Sequence, residues 1–260
     1  MPHHWYDDAH SRAKTHHTAD CIVHWNCAGE IASKQSLNAA GFKSEEGPNE
    51  NDVVLLKDGR TVLCIFRRDG GDGKLHHDHV PYVFATTTIG REGNGSKGGG
   101  REGASDTVAQ FSLQPPPPSP PLSWKLTNAP STMLSARPRA LVLENGALIV
   151  AGGRPALNMW VSATGDVEGP WETIDIPHVH NTKVSDPTNR FCPAFENATT
   201  ALGWYQSSCY NELVALSPNT GLVCYEKQGA TSGGGNPVPP ECAFAGSTIY
   251  CMQFTVTPAV

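Results

Sequence analysis

The sequence predicts an all-β chain of repeated antiparallel hairpins, and three observations carry that expectation. Two runs rich in β-branched and apolar residues, Val53-Val54-Leu55-Leu56 and Thr61-Val62-Leu63-Cys64-Ile65-Phe66, flank Lys57-Asp58-Gly59-Arg60, and Asp-Gly between such runs is a hairpin signal. The same order returns at 140–150 around Asn145-Gly146 and at 212–225 around Asn219-Thr220-Gly221. The glycines Gly59, Gly146 and Gly221 lie 87 and 75 residues apart, and setting aside an insertion at 90–122 brings the first interval to about 54, near the roughly 50 of one propeller repeat. Periods of that size point to propeller blades, each a small antiparallel sheet.

Taken in order, residues 1–46 are polar and rich in histidine, with one apolar patch at Cys21-Ile22-Val23-His24-Trp25, and form a poorly defined segment holding at most one strand. Residues 47–257 carry the blades. The first hairpin leads to a third strand at Pro81–Thr88 and, across the insertion, to Ser123-Trp124. The insertion joins a Gly-rich run at 90–100 to the prolines of 115–121; neither composition buries enough apolar surface to order itself, so a mobile loop with a polyproline segment is expected. The Gly-rich run is not a phosphate loop, because no Gly-Lys-Ser/Thr opens a helix after it. The second blade spans 137–177, with its third strand from Asn158 to Asp166, and the third spans 199–257, with a late strand at Thr248–Val256.

Composition excludes several classes of function. The net charge is −6 with no basic block, which argues against a nucleic-acid partner, and no run of 18 apolar residues is present to span a membrane. Eight cysteines occur without a zinc-type C-x-x-C pair; several fall in strand patterns, where a free thiol behaves as a small hydrophobe. His76-His77-Asp78-His79 has no third ligand set by spacing and fits a solvated loop rather than a metal site. No metal or other cofactor is implied. The N-terminus shows no apolar h-region, so no signal peptide is visible and the default location is cytoplasmic.

The resemblance to a known family rests on short motifs. Ser162-Ala163-Thr164-Gly165-Asp166 leads through Gly169 to Trp171, Ser123-Trp124 keeps the end of the same pattern, and Cys209-Tyr210-Asn211-Glu212-Leu213 is followed downstream by Cys224-Tyr225-Glu226. The chain resembles the sialidase (neuraminidase) superfamily, whose blades carry a BNR repeat, or Asp-box, between the third and fourth strands. The resemblance implies a six-bladed propeller, of which three to four blades are present here. It also implies a retaining exo-glycosidase acting on terminal sialic acid or a related acidic sugar of a glycan. Tyr210 would then be the nucleophile, Glu50 its base, and Arg67 and Arg154 the grip on the substrate carboxylate. Strand alternation lets only one of Arg67 and Arg68 face that site; Arg137 and Arg139, entering the second blade, are further arginines at equivalent ends. His178-Val179-His180-Asn181 is a possible sugar contact.

The residue types suit that chemistry. A sugar that carries its own carboxylate beside the reacting carbon repels a neutral phenol less than the usual carboxylate nucleophile, and tyrosine is the known exception among glycosidases. A phenol, with an ordinary pKa of about 10, needs an adjacent base, and a guanidinium fork matches a planar carboxylate. The chain departs from the family in lacking an Arg-Ile-Pro motif, and the general-acid aspartate that follows it, before Glu50. That departure implies the alternative reading, a catalytically inactive sialidase-like domain that binds glycan or serves as an interaction module.

Overall fold

Eleven described strands lie in three antiparallel sheets. The computed structural model describes residues 30–42, 47–69, 80–90, 122–153, 157–192, 207–228 and 247–257, all within one compact unit. The first sheet runs in chain order through β1 (Gly47–Leu55), β2 (Thr61–Asp69), β3 (Val83–Thr88) and β4 (Lys125–Asn128). The second repeats the arrangement with β5 (Arg139–Val142), β6 (Leu148–Gly152), β7 (Asn158–Ser162) and β8 (Glu172–Asp175). The third holds β9 (Ser207–Ser217), β10 (Thr220–Lys227) and β11 (Thr248–Thr255). Every pairing is antiparallel. The protein is thus all-β with three sheets, as the hairpin pattern predicts.

The turns follow from their residues. Gly59 has φ +66°, a left-handed conformation glycine adopts without cost, and the Asp58 carboxylate closes the turn by accepting from the Arg60 and Thr61 amides at 2.8 and 2.7 Å. Gly146 plays the same part at φ +99°. The third hairpin differs from the reading of the sequence. Its turn is Pro218-Asn219, and Gly221 already lies within β10. Gly221 is small for a packing reason: a Cβ there would come 2.5 Å from the Phe254 ring and 3.0 Å from the Val214 carbonyl.

First strands pack in sequence, β1 against β5 and β5 against β9. At the hairpin end the sheets are tied by Lys57 Nζ donating to the Asn145 carbonyl at 2.8 Å and the Asn145 amide donating to the Pro218 carbonyl at 2.8 Å. Between the first and second sheets lie Leu63, Ile65, Tyr82, Phe84, Leu148, Val150 and Trp160. Between the second and third lie Ile149, Met159, Val161, Leu213, Val223 and Tyr225. Each fully buried large apolar side chain contributes about 1.5–3 kcal/mol, so these two layers fix how the sheets face one another.

Several expectations are corrected. Residues 34–39 form a helix, α1, capped by the reciprocal Ser33 and Ser36 side chains; with Leu37 and Phe42 it covers the far face of the first sheet over Cys64, Phe66 and Val83. Cys224 and Cys251, a pairing that the sequence leaves open, are directly opposed on β10 and β11 and form a disulfide. The segment holding His178 and His180 is a helix, α2 (Ile176–Lys183), started by the Asp175 side chain and by Pro177 in its first turn. Ser162 to Trp171 does form the turn between the third and fourth strands of its sheet. There Ser162 Oγ donates to the Asp166 carbonyl at 2.8 Å, the Asp166 carboxylate accepts from the Glu168 amide at 2.9 Å, and Trp171 Nε1 donates to the Val167 carbonyl at 3.1 Å. The insertion over 91–121, His76 to His79 and Arg154 lie outside the described residues. Among the described residues no helix is long and apolar enough to cross a membrane.

Candidate functional site

The end of the sheets opposite the tied hairpins carries an interlocked set of charged and aromatic side chains. Its first member is placed by a β-bulge. In the β1–β2 ladder Asn49 pairs with Arg67 and Asn51 with Phe66, which leaves Glu50 as the extra residue at φ +27°. Bulges of this kind re-aim a side chain and recur beside functional sites, and a non-glycine residue at positive φ is held there only by its surroundings.

Those surroundings are two arginines. Glu50 Oε2 accepts from Arg67 Nη1 at 3.0 Å and from the Arg137 backbone amide at 3.0 Å, while Arg137 Nε stands 3.6 Å from Oε1. The Arg67 side chain is only 8% exposed and that of Glu50 23%, so the pair is largely withdrawn from water, where losing one partner costs much more than at a surface. Arg137 is itself at φ +49°, the second non-glycine residue in this region with positive φ among the described residues.

From the second sheet Arg137 reaches the third. Its guanidinium carbon lies 4.1 Å from the centroid of the Tyr210 ring, well inside cation–π range, and its carbonyl accepts from Asn211 Nδ2 at 3.4 Å. Two residues further on, Arg139 Nε meets Glu212 Oε2 at 3.3 Å. Asp52 adds a tie on the other side by accepting from the Ala140 amide at 2.9 Å. The chain Arg67, Glu50, Arg137, Tyr210 therefore joins all three sheets.

Tyr210 is 56% exposed and lines a groove of about 560 Å³ on the outer face of the third sheet, together with Arg139, Glu212, Glu226 and Ile249. That volume suits a small ligand. The walls mix an aromatic ring and an aliphatic side chain with two carboxylates and a guanidinium. This combination can stack an apolar face and meet polar groups at the edges.

Set against the sequence, the structure brings Glu50, Arg67 and Tyr210 into one assembly although they are scattered over 160 residues of chain. Glu50 makes no hydrogen bond to Tyr210; its carboxylate is met by arginines, and Arg137 is the residue in contact with both. Arg68 is turned away, its guanidinium 5.6 Å over the Phe42 ring on the far face of the first sheet, where burial lowers its pKa. It is not a carboxylate ligand beside Arg67. His180 is no sugar contact either. It is buried, with Nε2 donating to the Asn189 carbonyl at 2.9 Å and Nδ1 2.7 Å from the Tyr225 hydroxyl, inside a cage of Phe191, Tyr225 and Tyr250 rings.

Arg137 is the residue whose importance sequence reasoning understated. The signal available was its place just before a strand at the same chain end as Glu50 and Tyr210. Comparison with protein-family models, curated proteins and solved structures found no match to this chain.

Proposed function

We propose that the chain is a sialidase-like exo-glycosidase that removes terminal sialic acid or a related acidic sugar from glycans with retention of configuration. Tyr210 is the nucleophile of this reading. Arg67, and Arg154 by its sequence position two residues after β6, meet the substrate carboxylate. The three sheets, with first strands packed in order, are read as consecutive blades of a β-propeller, and the site as the mouth of its funnel.

The single observation that carries the reading is the Arg67–Glu50–Arg137–Tyr210 chain. It collects an exposed phenol, a buried guanidinium and a carboxylate that orders the arginines at one end of the sheets. Such a set fits attack by a phenol on a sugar that brings its own negative charge. The alternative, a glycan-binding domain without turnover, is favoured by one observation: Arg67 and Arg137 are already satisfied by Glu50.

The test is a panel of fluorogenic glycosides. The reading expects release of the fluorophore from an acidic nonulosonic glycoside and none from neutral galactosides or glucosides. Binding of the free acidic sugar without any release selects the alternative. Indifference to the carboxylate sinks both.

A further inference from the structure

We propose that Glu226, and not Glu50, is the base that takes the Tyr210 proton; this inference rests on the reading of Tyr210 as a glycosidase nucleophile. Glu50 is engaged elsewhere, by Arg67, by the Arg137 amide and by the Arg137 side chain. The guanidinium of Arg137, a cation, is what meets the Tyr210 ring from that side. A carboxylate with three partners and a cation at its shoulder is an organiser of charge rather than a proton acceptor for the phenol.

Glu226 shares the groove with Tyr210. In the β9–β10 ladder Asn211 pairs with Tyr225, and both are buried. Side chains alternate between the faces of a strand, so Tyr210 and Glu226, each next to that pair, turn to the outer face, where both line the same groove. Residues facing each other or diagonally across neighbouring strands keep their Cβ atoms within about 4.5–8 Å, a span that glutamate and tyrosine side chains bridge. The ladder is irregular between Tyr225 and Lys227, and such a bulge re-aims side chains locally.

The two carboxylates of the groove stand in different environments. Glu212 is held by Arg139. Glu226 is half-buried and, among the described residues, has neither hydrogen bond nor ion pair. A carboxylate left without a fixed partner beside an exposed phenol is placed to exchange a proton with it, and geometry is the first criterion for a base. In the step, the Tyr210 proton passes to the Glu226 carboxylate as the Oη–carbon bond forms. The bond from the anomeric carbon to the leaving group breaks, and the leaving group departs with the electron pair.

A 2,3-difluoro nonulosonic acid isolates this step, because fluoride leaves without a proton and the 3-fluoro group keeps the tyrosyl adduct from hydrolysing. Rates of adduct formation at Tyr210 are read by peptide mass spectrometry for the wild-type chain, E226Q and E226A, with melting curves confirming that the variants are folded. The expected result is labelling slowed about 10²-fold or more in both variants, with formate restoring part of the rate to E226A by filling the vacated carboxylate position. Labelling of E226Q at the wild-type rate overturns the role, and so does slow labelling of E226A that formate does not rescue. A wild-type chain that takes no label at Tyr210 overturns the nucleophile reading itself, which separates the two failures.

Discussion

The guanidinium of Arg137 stacks 4.1 Å from the centre of the Tyr210 ring, and this contact couples the second sheet to the third at the point where the candidate nucleophile is exposed. The same Tyr210 side chain lines the groove. Arg137 thereby sets the direction from which the phenol can be used. Replacing Arg137 with alanine is expected to lower kcat on an acidic aryl glycoside by about 10²-fold, the scale of a small misplacement of a reacting group, with a smaller effect on KM. An unchanged kcat in a folded R137A protein contradicts the positioning.

Glu50 is expected to matter first for stability. Its loss removes the carboxylate that meets the Arg67 guanidinium, 8% exposed, and breaking a buried pair from one side costs about 3–5 kcal/mol, less where a partner is partly wet. Urea unfolding of E50Q should show a fall of about 2–4 kcal/mol. A midpoint equal to that of the wild type would mean that the Arg67–Glu50 contact is not maintained in solution.

How much of this was legible in the sequence depends on range. The hairpins of β1–β2 and β5–β6 could be read because Asp58-Gly59 and Asn145-Gly146 are local signals that need no partner. Gly221 misled, because a glycine kept small by Phe254 looks in sequence like a glycine kept for its turn. Helix α1 was missed because its stability comes from Leu37 and Phe42 lying on the first sheet, a tertiary gain that six residues do not announce. Glu50, Arg67 and Tyr210 were singled out by motif resemblance, but the identity of their mutual partner was hidden. Arg137 reaches Glu50 and Tyr210 only through the packing of β1, β5 and β9, and no spacing rule encodes a contact across three sheets.

His180 gives the fold a sensitivity to acid. Its carbonyl partner at Asn189 requires a proton on Nε2, so the neutral ring accepts the Tyr225 hydroxyl at Nδ1. Burial lowers its pKa below the usual 6.5, the Asn189 hydrogen bond opposes this, and Lys227 on β10 adds repulsion. Burial likewise raises the pKa of Tyr225, with Tyr250 on β11 adding to it, so that hydroxyl stays neutral. A depressed histidine pKa means the fold prefers the neutral ring. Its contribution is complete above the unfolded value of about 6.5 and is lost as pH falls through the lower folded value. Melting temperature should therefore drop as pH falls below about 6.5, and H180Q should flatten that slope. A parallel decline in the two proteins would assign the acid sensitivity to other groups.

The Cys224–Cys251 bridge closes a separation of 27 residues, and in the chain-entropy picture a loop of that length is worth about 3–4 kcal/mol. Denaturant titration with and without reductant should differ by about that amount. Bonds of this kind persist in oxidising compartments, so non-reducing peptide mass spectrometry of the protein from its native source should recover the linked pair. Recovery of both thiols free would contradict the pairing.

The most direct test of the central claim is the hydrolysis of a 4-methylumbelliferyl α-sialoside by the wild-type chain and by Y210F. The aryl leaving group needs little protonation, so the assay reports on the nucleophile. Fluorophore release by the wild type, with the first-formed sugar product retaining the α configuration by proton NMR, and loss of that release in folded Y210F is the result this account predicts. Release that survives Y210F, or product formed with inversion, would contradict it.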